Sequence, residues 1–228
     1  MADAPVLLIT GASSGIGAET ARLAVASGRR VVLAARSADK LEALAAELGG
    51  QEHAIAVTCD VTDFASQEAL VAEALATFGR LDAAFANAGF GAKRGFLEET
   101  PEHWRDMVLT NVLGAAYTIR ATLPALLESA GHLLLTSSVA GRRALPGSLY
   151  SATKFSVTAM GEALRQEVDG KIRVTLIEPG MVDTPFFDNK PSGALEPADI
   201  ARAVLYALDQ PPHVDVNEIL IRPTSQPT

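Results

Sequence analysis

Tyr150 and Lys154 stand four residues apart, a spacing that sets two side chains on one face of a helix within reach of each other. A phenol titrating near its ordinary value of about 10 is a poor base at neutral pH, and an ammonium beside it favours the phenolate. Such a pair can give a proton to a carbonyl oxygen or take one from an alcohol. Ser138, at the end of an apolar run, adds a hydroxyl able to bond the same oxygen. Read alone, Tyr-x-x-x-Lys is an ordinary helix surface, and a serine there is commonplace. Their conjunction with a nucleotide cradle at the N-terminus is not commonplace.

That cradle is Thr10-Gly11-Ala12-Ser13-Ser14-Gly15-Ile16-Gly17, a G-x-x-x-G-x-G turn between the apolar run Val6-Leu7-Leu8-Ile9 and a helical pattern. Glycine allows a tight turn and close approach of a diphosphate, and the first amides of a helix point unpaired at that spot. Gly11, Ser13, Ser14, Gly15, Ile16 and Gly17 are therefore the expected phosphate contacts; a purely structural glycine turn is the alternative. Where an acidic residue would bond a ribose 2′-hydroxyl, the second strand ends Ala35-Arg36. An arginine there accommodates a 2′-phosphate, so NADP(H) is expected over NAD; a solvated surface arginine is the plain alternative.

The elements that must position these groups alternate along the chain. Strands are expected at Val6–Thr10, Arg30–Ala35, Ala54–Cys59, Asp82–Asn87, His132–Ser137, Arg173–Glu178 and Glu218–Ile221. Helices are expected at Ala18–Ala26, Ala38–Leu48, Phe64–Phe78, Glu102–Leu127, Tyr150–Val168 and Pro197–Leu208. The strands are continuous apolar runs, as in strands covered on both faces. The expected architecture is α/β: one doubly wound, Rossmann-type domain over 1–228, with a seven-stranded parallel sheet and helices on both faces. Ligands of such sheets lie beyond the C-terminal strand ends. Those ends carry Gly11–Gly17, Arg36, Asp60-Val61, Asn87-Ala88-Gly89, Ser137-Ser138 and Pro179-Gly180. Asn111, followed by Gly114 inside the long fourth helix, signals either a kink or an amide aimed at a partner; a plain exposed asparagine is as good a reading. Cys59 and Trp104 read as packing.

Composition narrows the function classes. With 48% hydrophobic residues, 20% charged residues and a net charge of −8 spread along 228 residues, the chain is globular, and nucleic acid and anionic membranes are not expected partners. No apolar run is long enough to span a bilayer, and Met1-Ala2-Asp3-Ala4-Pro5 shows no signal-peptide pattern. The single cysteine and the scattered histidines lack metal-ligand spacing, so no metal is expected and a reducing, cytoplasmic setting is.

Six motifs in order resemble the classical short-chain dehydrogenase/reductase family. They are the glycine turn, Asp60-Val61, Asn87-Ala88-Gly89, Asn111, Ser137-Ser138-Val139-Ala140-Gly141 with Tyr150-Ser151-Ala152-Thr153-Lys154, and Pro179-Gly180-Met181-Val182-Asp183-Thr184. The resemblance implies a catalytic set of Asn111, Ser138, Tyr150 and Lys154. Tyr150 would be the acid/base, and Ser138 would orient the carbonyl. Lys154 would bond the nicotinamide ribose and lower the tyrosine pKa, and Asn111 would hold a relay water. It also implies adenine contacts from Asp60 and Val61. Asn87, Ala88 and Gly89 would line the cofactor with Pro179 and Gly180, Val182 and Thr184 would clasp its carboxamide, and Arg36 would mark the NADP(H)-preferring subgroup.

Two departures matter. Ser138 to Tyr150 is twelve positions where the family has thirteen; Ser137 restores thirteen, whereas the Val-Ala-Gly context favours Ser138 with a shortened loop near Leu145-Pro146-Gly147. The substrate-loop segment, about 181–197, is also short, which suggests an open, undemanding pocket. The C-terminal segment Val216–Thr224 resembles members acting on small 3-hydroxy acids and secondary alcohols. The expected activity is hydride transfer between NADP(H) and a small-molecule carbonyl or alcohol, by a homodimer or homotetramer built on the two long helices. The rivals are a 3-oxoacyl-carrier-protein reductase and a non-catalytic NADP-sensing protein.

Overall fold

A computed structural model describes residues 4–187 and 191–226. Seven strands form one parallel sheet: β1 (Val6–Thr10), β2 (Arg30–Ala35), β3 (Ala54–Thr58), β4 (Ala83–Ala86), β5 (His132–Thr136), β6 (Arg173–Pro179) and β7 (Glu218–Ile221). Their order is β3-β2-β1-β4-β5-β6-β7, so the chain reverses direction across the sheet between β1 and β4. The register runs without a break, with Leu8 beside Val32 on one side and Ala84 on the other. Where the winding reverses, the loops after β1 and β4 part and leave a crevice at the C-terminal edge.

The apolar runs serve both faces because strand side chains alternate. Val6 and Leu8 join Val32, Ala84, Leu133 and Leu135 in one core; Leu7 and Ile9 join Leu33, Phe85, Leu134 and Ile177 in the other. The first core lies under α3 (Phe64–Phe78), α5 (Ala115–Ser129) and α6 (Leu149–Val168). The second lies under α1 (Gly15–Ala26), α2 (Ala38–Glu47) and α7 (Pro197–Leu208). Among the described residues, no helix is long and apolar enough to cross a membrane.

Element types follow the sequence, and several bounds differ. The glycine turn is shorter than expected: α1 begins at Gly15, not Ala18. The single long helix expected at Glu102–Leu127 is instead three pieces: α4 (Pro101–Val108), a π-helical turn (Leu109–Gly114) and α5. The wider turn spoils the α-helical bonding that the apolar pattern implied. Its freed polar groups find side chains: Gln67 donates to the carbonyls of Gly114 and Val61 at 3.0 and 2.9 Å, and Thr118 donates to Gly114 at 2.9 Å. Asn111 thus sits at a kink, buried. Residues 1–3, and positions 188–190 of the expected substrate loop, lie outside the described residues. The base of that loop is closed by a bridge between Val182 and Leu195, with Asp183 N–H donating to Leu195 at 2.8 Å.

Candidate active site

At the phosphate end, Gly11 and Gly15 have φ of +67° and +55°, a backbone region that side chains disfavour. A Cβ on Gly17 would lie 2.4 Å from the Gly11 carbonyl oxygen and 2.9 Å from Asn87 Nδ2, so only glycine fits. Ser14 is the N-cap of α1, yet its side chain makes no capping bond, and no acidic residue stands in the first turn. The leading amides are therefore left for an anion, with no carboxylate in the first turn to repel it. Ser13 and Ile16 are half-buried beside them.

The struts of the crevice come from neighbouring strand ends. The Thr10 hydroxyl accepts from the amides of Asn87 and Ala88 at 3.1 and 3.2 Å, and Asn87 Nδ2 donates to the Thr10 carbonyl at 3.1 Å. Thr136 Oγ1 donates to Asn87 Oδ1 at 3.2 Å, tying in β5. Expected as a cofactor-lining residue, Asn87 also pins β1, β4 and β5 together at the switch point. Asp60 accepts from the Thr62 amide and hydroxyl at 2.9 and 2.8 Å, which holds its carboxyl below the usual range; exposed Arg36 nearby pushes the same way. Val61 packs on Gly114, where a Cβ would stand 2.8 Å from Val61 Cγ2.

At the chemical end, Ser137 and Ser138 diverge. Ser137 Oγ turns inward, donating to the Lys154 carbonyl at 3.1 Å and sharing a 2.7 Å bond with Thr158 Oγ1. Ser138 caps a short 3-10 turn (Val139–Gly141), accepting from Ala140 N–H at 3.1 Å and donating to the Pro179 carbonyl at 3.3 Å, and it also hydrogen-bonds the Tyr150 side chain. The shortened loop accommodates this by a left-handed Gly147, φ +59°, whose carbonyl accepts from Gly95 N–H at 2.7 Å. Ser148 then caps α6, and Tyr150 and Lys154 follow within its first turns.

Lys154 is 4% exposed, and its ammonium lies 5.6 Å from the Tyr150 ring centre and donates to the Thr136 carbonyl at 2.7 Å. Burial pulls it down to about 8. Burial also pushes the Tyr150 phenol up to about 12, against a smaller opposing effect of the Ser138 bond. The sequence predicts a tyrosine lowered by the ammonium; the phenol is instead raised by desolvation, opposed by the Ser138 bond.

Asn111 is 1% exposed, and its amide is committed: Oδ1 accepts from Phe90 N–H at 3.0 Å, and Nδ2 donates to the Phe90 carbonyl at 2.8 Å and to Thr153 Oγ1 at 3.2 Å. Gly89 lies between this amide and Lys154: a Cβ there would stand 3.0 Å from Asn111 Oδ1 and 3.7 Å from Lys154 Nζ. Beyond β6, Gly180 N–H donates to Ile221 at 2.7 Å, Val182 is buried, and Thr184 reaches across to Gly15. Pairwise contacts thus join many of the expected residues: Gly11 to Ala88, Gly89 to Asn111 and Lys154, Ser138 to Tyr150 and Pro179, Thr184 to Gly15, and Arg36 to Asp60 through charge. Three contributors escaped the sequence reading: Thr10, Thr153 and Phe186. Thr10 and Thr153 had a signal, as members of the glycine and Tyr150–Lys154 motifs; Phe186 had none.

A doubly wound sheet with a glycine phosphate turn and a Ser-Tyr-Lys group across the switch point defines a dinucleotide-dependent dehydrogenase or reductase class. Residues 5–194 match the short chain dehydrogenase family model, and the chain belongs to that family. It is an oxidoreductase of this type. An uncharacterized oxidoreductase of Staphylococcus aureus is 41% identical over 224 residues, covering 96% of each chain. An alcohol dehydrogenase from the archaeon Thermococcus sibiricus, complexed with 5-hydroxy-NADP, is 34% identical with a TM-score of 0.93 and covers 99% of both chains. A 3-ketoacyl-(acyl-carrier-protein) reductase from Brucella melitensis, complexed with NADH, is 29% identical with a TM-score of 0.90, covering 98% of this chain and 99% of that one.

Proposed function

We propose that the protein is an NADP(H)-dependent oxidoreductase that interconverts a small-molecule carbonyl compound and its secondary or primary alcohol. The observation that carries this reading is the half-buried Tyr150 phenol, hydrogen-bonded to Ser138 and flanked by the buried Lys154 ammonium. The residues fit a nicotinamide dinucleotide. The glycine turn leaves no room for a Cβ at Gly17, Ser14 leaves the α1 amides uncapped, and the buried Lys154 ammonium has donors to spare for ribose hydroxyls beyond its bond to Thr136.

Ser13, Ser14, Gly15, Ile16 and Gly17 would hold the diphosphate, and Arg36 the 2′-phosphate. Asp60 and Val61 would hold the adenine. Asn87, Ala88, Gly89, Pro179 and Gly180 would line the ribose and nicotinamide, and Val182 and Thr184 would meet the carboxamide. When bound, the dihydronicotinamide supplies hydride to the carbonyl carbon, and the oxidised ring takes it back from the alcohol. Ser138 turns its one proton from the Pro179 carbonyl to the substrate carbonyl oxygen and orients it, and Tyr150 gives that oxygen its proton. The phenol is protonated at neutral pH and can serve as the proton donor for reduction. Lys154 stabilises the phenolate left behind, and Asn111 fixes the Gly89–Phe90 backbone beside Lys154, along the path by which a proton returns.

A carrier-protein reductase would share every one of these motifs, and the Brucella protein bears that name. The net charge of −8 argues against docking an acidic carrier. A sensor protein has no use for a paired tyrosine and lysine. Exposed Val108, Leu113 and Phe155 on the long helical elements support a homo-oligomer. A cytoplasmic setting, which keeps Cys59 a thiol, belongs to the same reading.

The deciding experiment measures NADPH oxidation and NADP+ reduction over aldehydes, ketones, 3-hydroxy acids and an acyl-carrier substrate, with NADH and NAD+ as controls. Turnover of free carbonyls with NADPH supports the proposal. Activity confined to the acyl carrier gives the reductase reading, and tight NADPH binding with no turnover gives the sensor.

A further inference from the structure

The loop after β6 reaches both ends of the crevice within three residues. Thr184 lies over the phosphate turn, where a Cβ on Gly15 would stand 3.1 Å from Thr184 Cγ2. The Phe186 ring meets the Tyr150 ring edge-on, with centroids 5.5 Å apart and planes at 66°. Phe187 packs against Phe186 at 5.0 Å. The loop is folded on itself by Phe186 N–H donating to Thr184 Oγ1 at 3.3 Å and Phe187 N–H donating to the Thr184 carbonyl at 3.2 Å.

On its other side, the Phe186 ring rests on the bare backbone of Gly91: a Cβ there would stand 2.5 Å from Phe186 Cζ and 2.8 Å from Cε1. Gly91 in turn belongs to the segment that Asn111 anchors through Phe90, and its carbonyl is bonded by His103 Nε2 at 2.9 Å. A glycine has thus made the seat for this ring beside the proton-donating phenol. Yet Phe186 and Phe187 remain 39% and 36% exposed. Two large rings thus keep part of their apolar surface open beside a reacting group.

We propose that Phe186, seated on Gly91 and backed by Phe187, is the specificity-determining wall of the substrate site, and that it selects carbonyl compounds bearing an aromatic or bulky apolar substituent, with the matching alcohols. The proposal rests on the reading of Tyr150 as proton donor, and names the substrate class for that same site. A ring substituent on the carbonyl carbon would cover the open aromatic face next to Tyr150 and gain both area burial and an edge-to-face contact. The carboxylate of a small 3-hydroxy acid would lie against hydrocarbon and lose hydration without a partner there. The class therefore differs from the one that the C-terminal segment suggested.

The test compares kcat/KM for benzaldehyde and acetaldehyde with NADPH, and for 3-hydroxybutyrate with NADP+, in the wild type, Phe186→Ala, Phe186→Leu and Gly91→Ala. The wild type is expected to favour benzaldehyde over acetaldehyde by about tenfold or more. Phe186→Ala and Gly91→Ala should both erode that ratio, the second by unseating the ring, mostly through KM for benzaldehyde. Phe186→Leu keeps apolar bulk and should give an intermediate ratio, which guards against a loop that collapses in the alanine variant. NADPH binding followed by fluorescence shows whether each variant retains its fold. A wild type that prefers acetaldehyde or 3-hydroxybutyrate, or an unchanged ratio in Phe186→Ala and Gly91→Ala, overturns the proposal while leaving the oxidoreductase reading intact. No turnover of any carbonyl by the wild type removes the oxidoreductase reading itself.

Discussion

Asn111 and Phe90 form a reciprocal pair: the asparagine amide accepts from the Phe90 N–H at 3.0 Å and donates to the Phe90 carbonyl at 2.8 Å. A side chain at a π-helical kink thereby completes the backbone bonding of the segment that leaves β4. Asn111→Leu would leave the Phe90 N–H and carbonyl without their side-chain partner, while the Thr153 hydroxyl keeps its bond to the Tyr150 carbonyl. The Phe90 groups are part-buried, so the expected loss is about 1–3 kcal/mol in all. Urea denaturation of the variant measures it, and a loss under 0.5 kcal/mol would contradict the pairing.

The divergence of Ser137 and Ser138 separates their variants. Ser138→Ala removes the hydroxyl bonded to Tyr150, and Tyr150→Phe removes the proton itself. Both should lower kcat by about 10²–10⁴-fold with NADPH affinity retained. Ser137→Ala should cost stability through its lost bonds to Thr158 and Lys154 while leaving kcat within about tenfold of wild type. Steady-state kinetics beside a thermal melt reads both effects. The reverse pattern would return the catalytic role to Ser137.

The two directions of reaction should respond differently to pH. With the phenol pushed up to about 12, the proton donor for reduction is fully loaded through neutral pH. Oxidation needs the phenolate, so its rate should climb as pH rises. Lys154, drawn down to about 8, loses its charge above that pH and withdraws its help. Reduction should therefore be level from pH 6 to 8 and oxidation should rise over that range. A falling oxidation rate there would remove Tyr150 from the proton path.

The proposed preference for NADP(H) rests on Arg36. Arg36→Ala should raise Kd for NADPH by about 10–100-fold through loss of a charge-assisted contact, and leave NADH affinity nearly unchanged or better. Titration of both cofactors checks this. Equal effects on both would make the arginine a surface charge only.

His132 sets an acid limit. It is 1% exposed, Nε2 pairs with Thr175 Oγ1 at 2.7 Å, Nδ1 has no partner, and burial beside Arg173 draws its pKa down from 6.5 to about 3. The unfolded chain takes up a proton below about 6.5 and the folded one does not. Stability should therefore fall as pH drops from 6.5 toward 3. His132→Gln should flatten that slope in denaturation curves taken at pH 7 and pH 5.

The sequence alone determined what local pattern can carry. Continuous apolar runs between helical patterns require strands covered on both faces, so the parallel sheet and its rim of small and polar residues were legible. So were the glycine turn, where steric room dictates residue type, and Tyr150 with Lys154, whose spacing on one helix fixes their shared face. Contacts between distant segments decided the rest. Whether Ser137 or Ser138 faces Tyr150 depended on a left-handed Gly147 meeting Gly95, a contact between loops about fifty residues apart. The π turn around Asn111 depended on Phe90, Gln67 and Thr153 taking up its polar groups. The direction of the Tyr150 shift depended on how deeply the phenol is buried, which spacing along a helix does not reveal. The seat of Phe186 on Gly91 joins residues 95 positions apart, and only folding brings an aromatic ring into contact with both a bare glycine and the Tyr150 phenol ring.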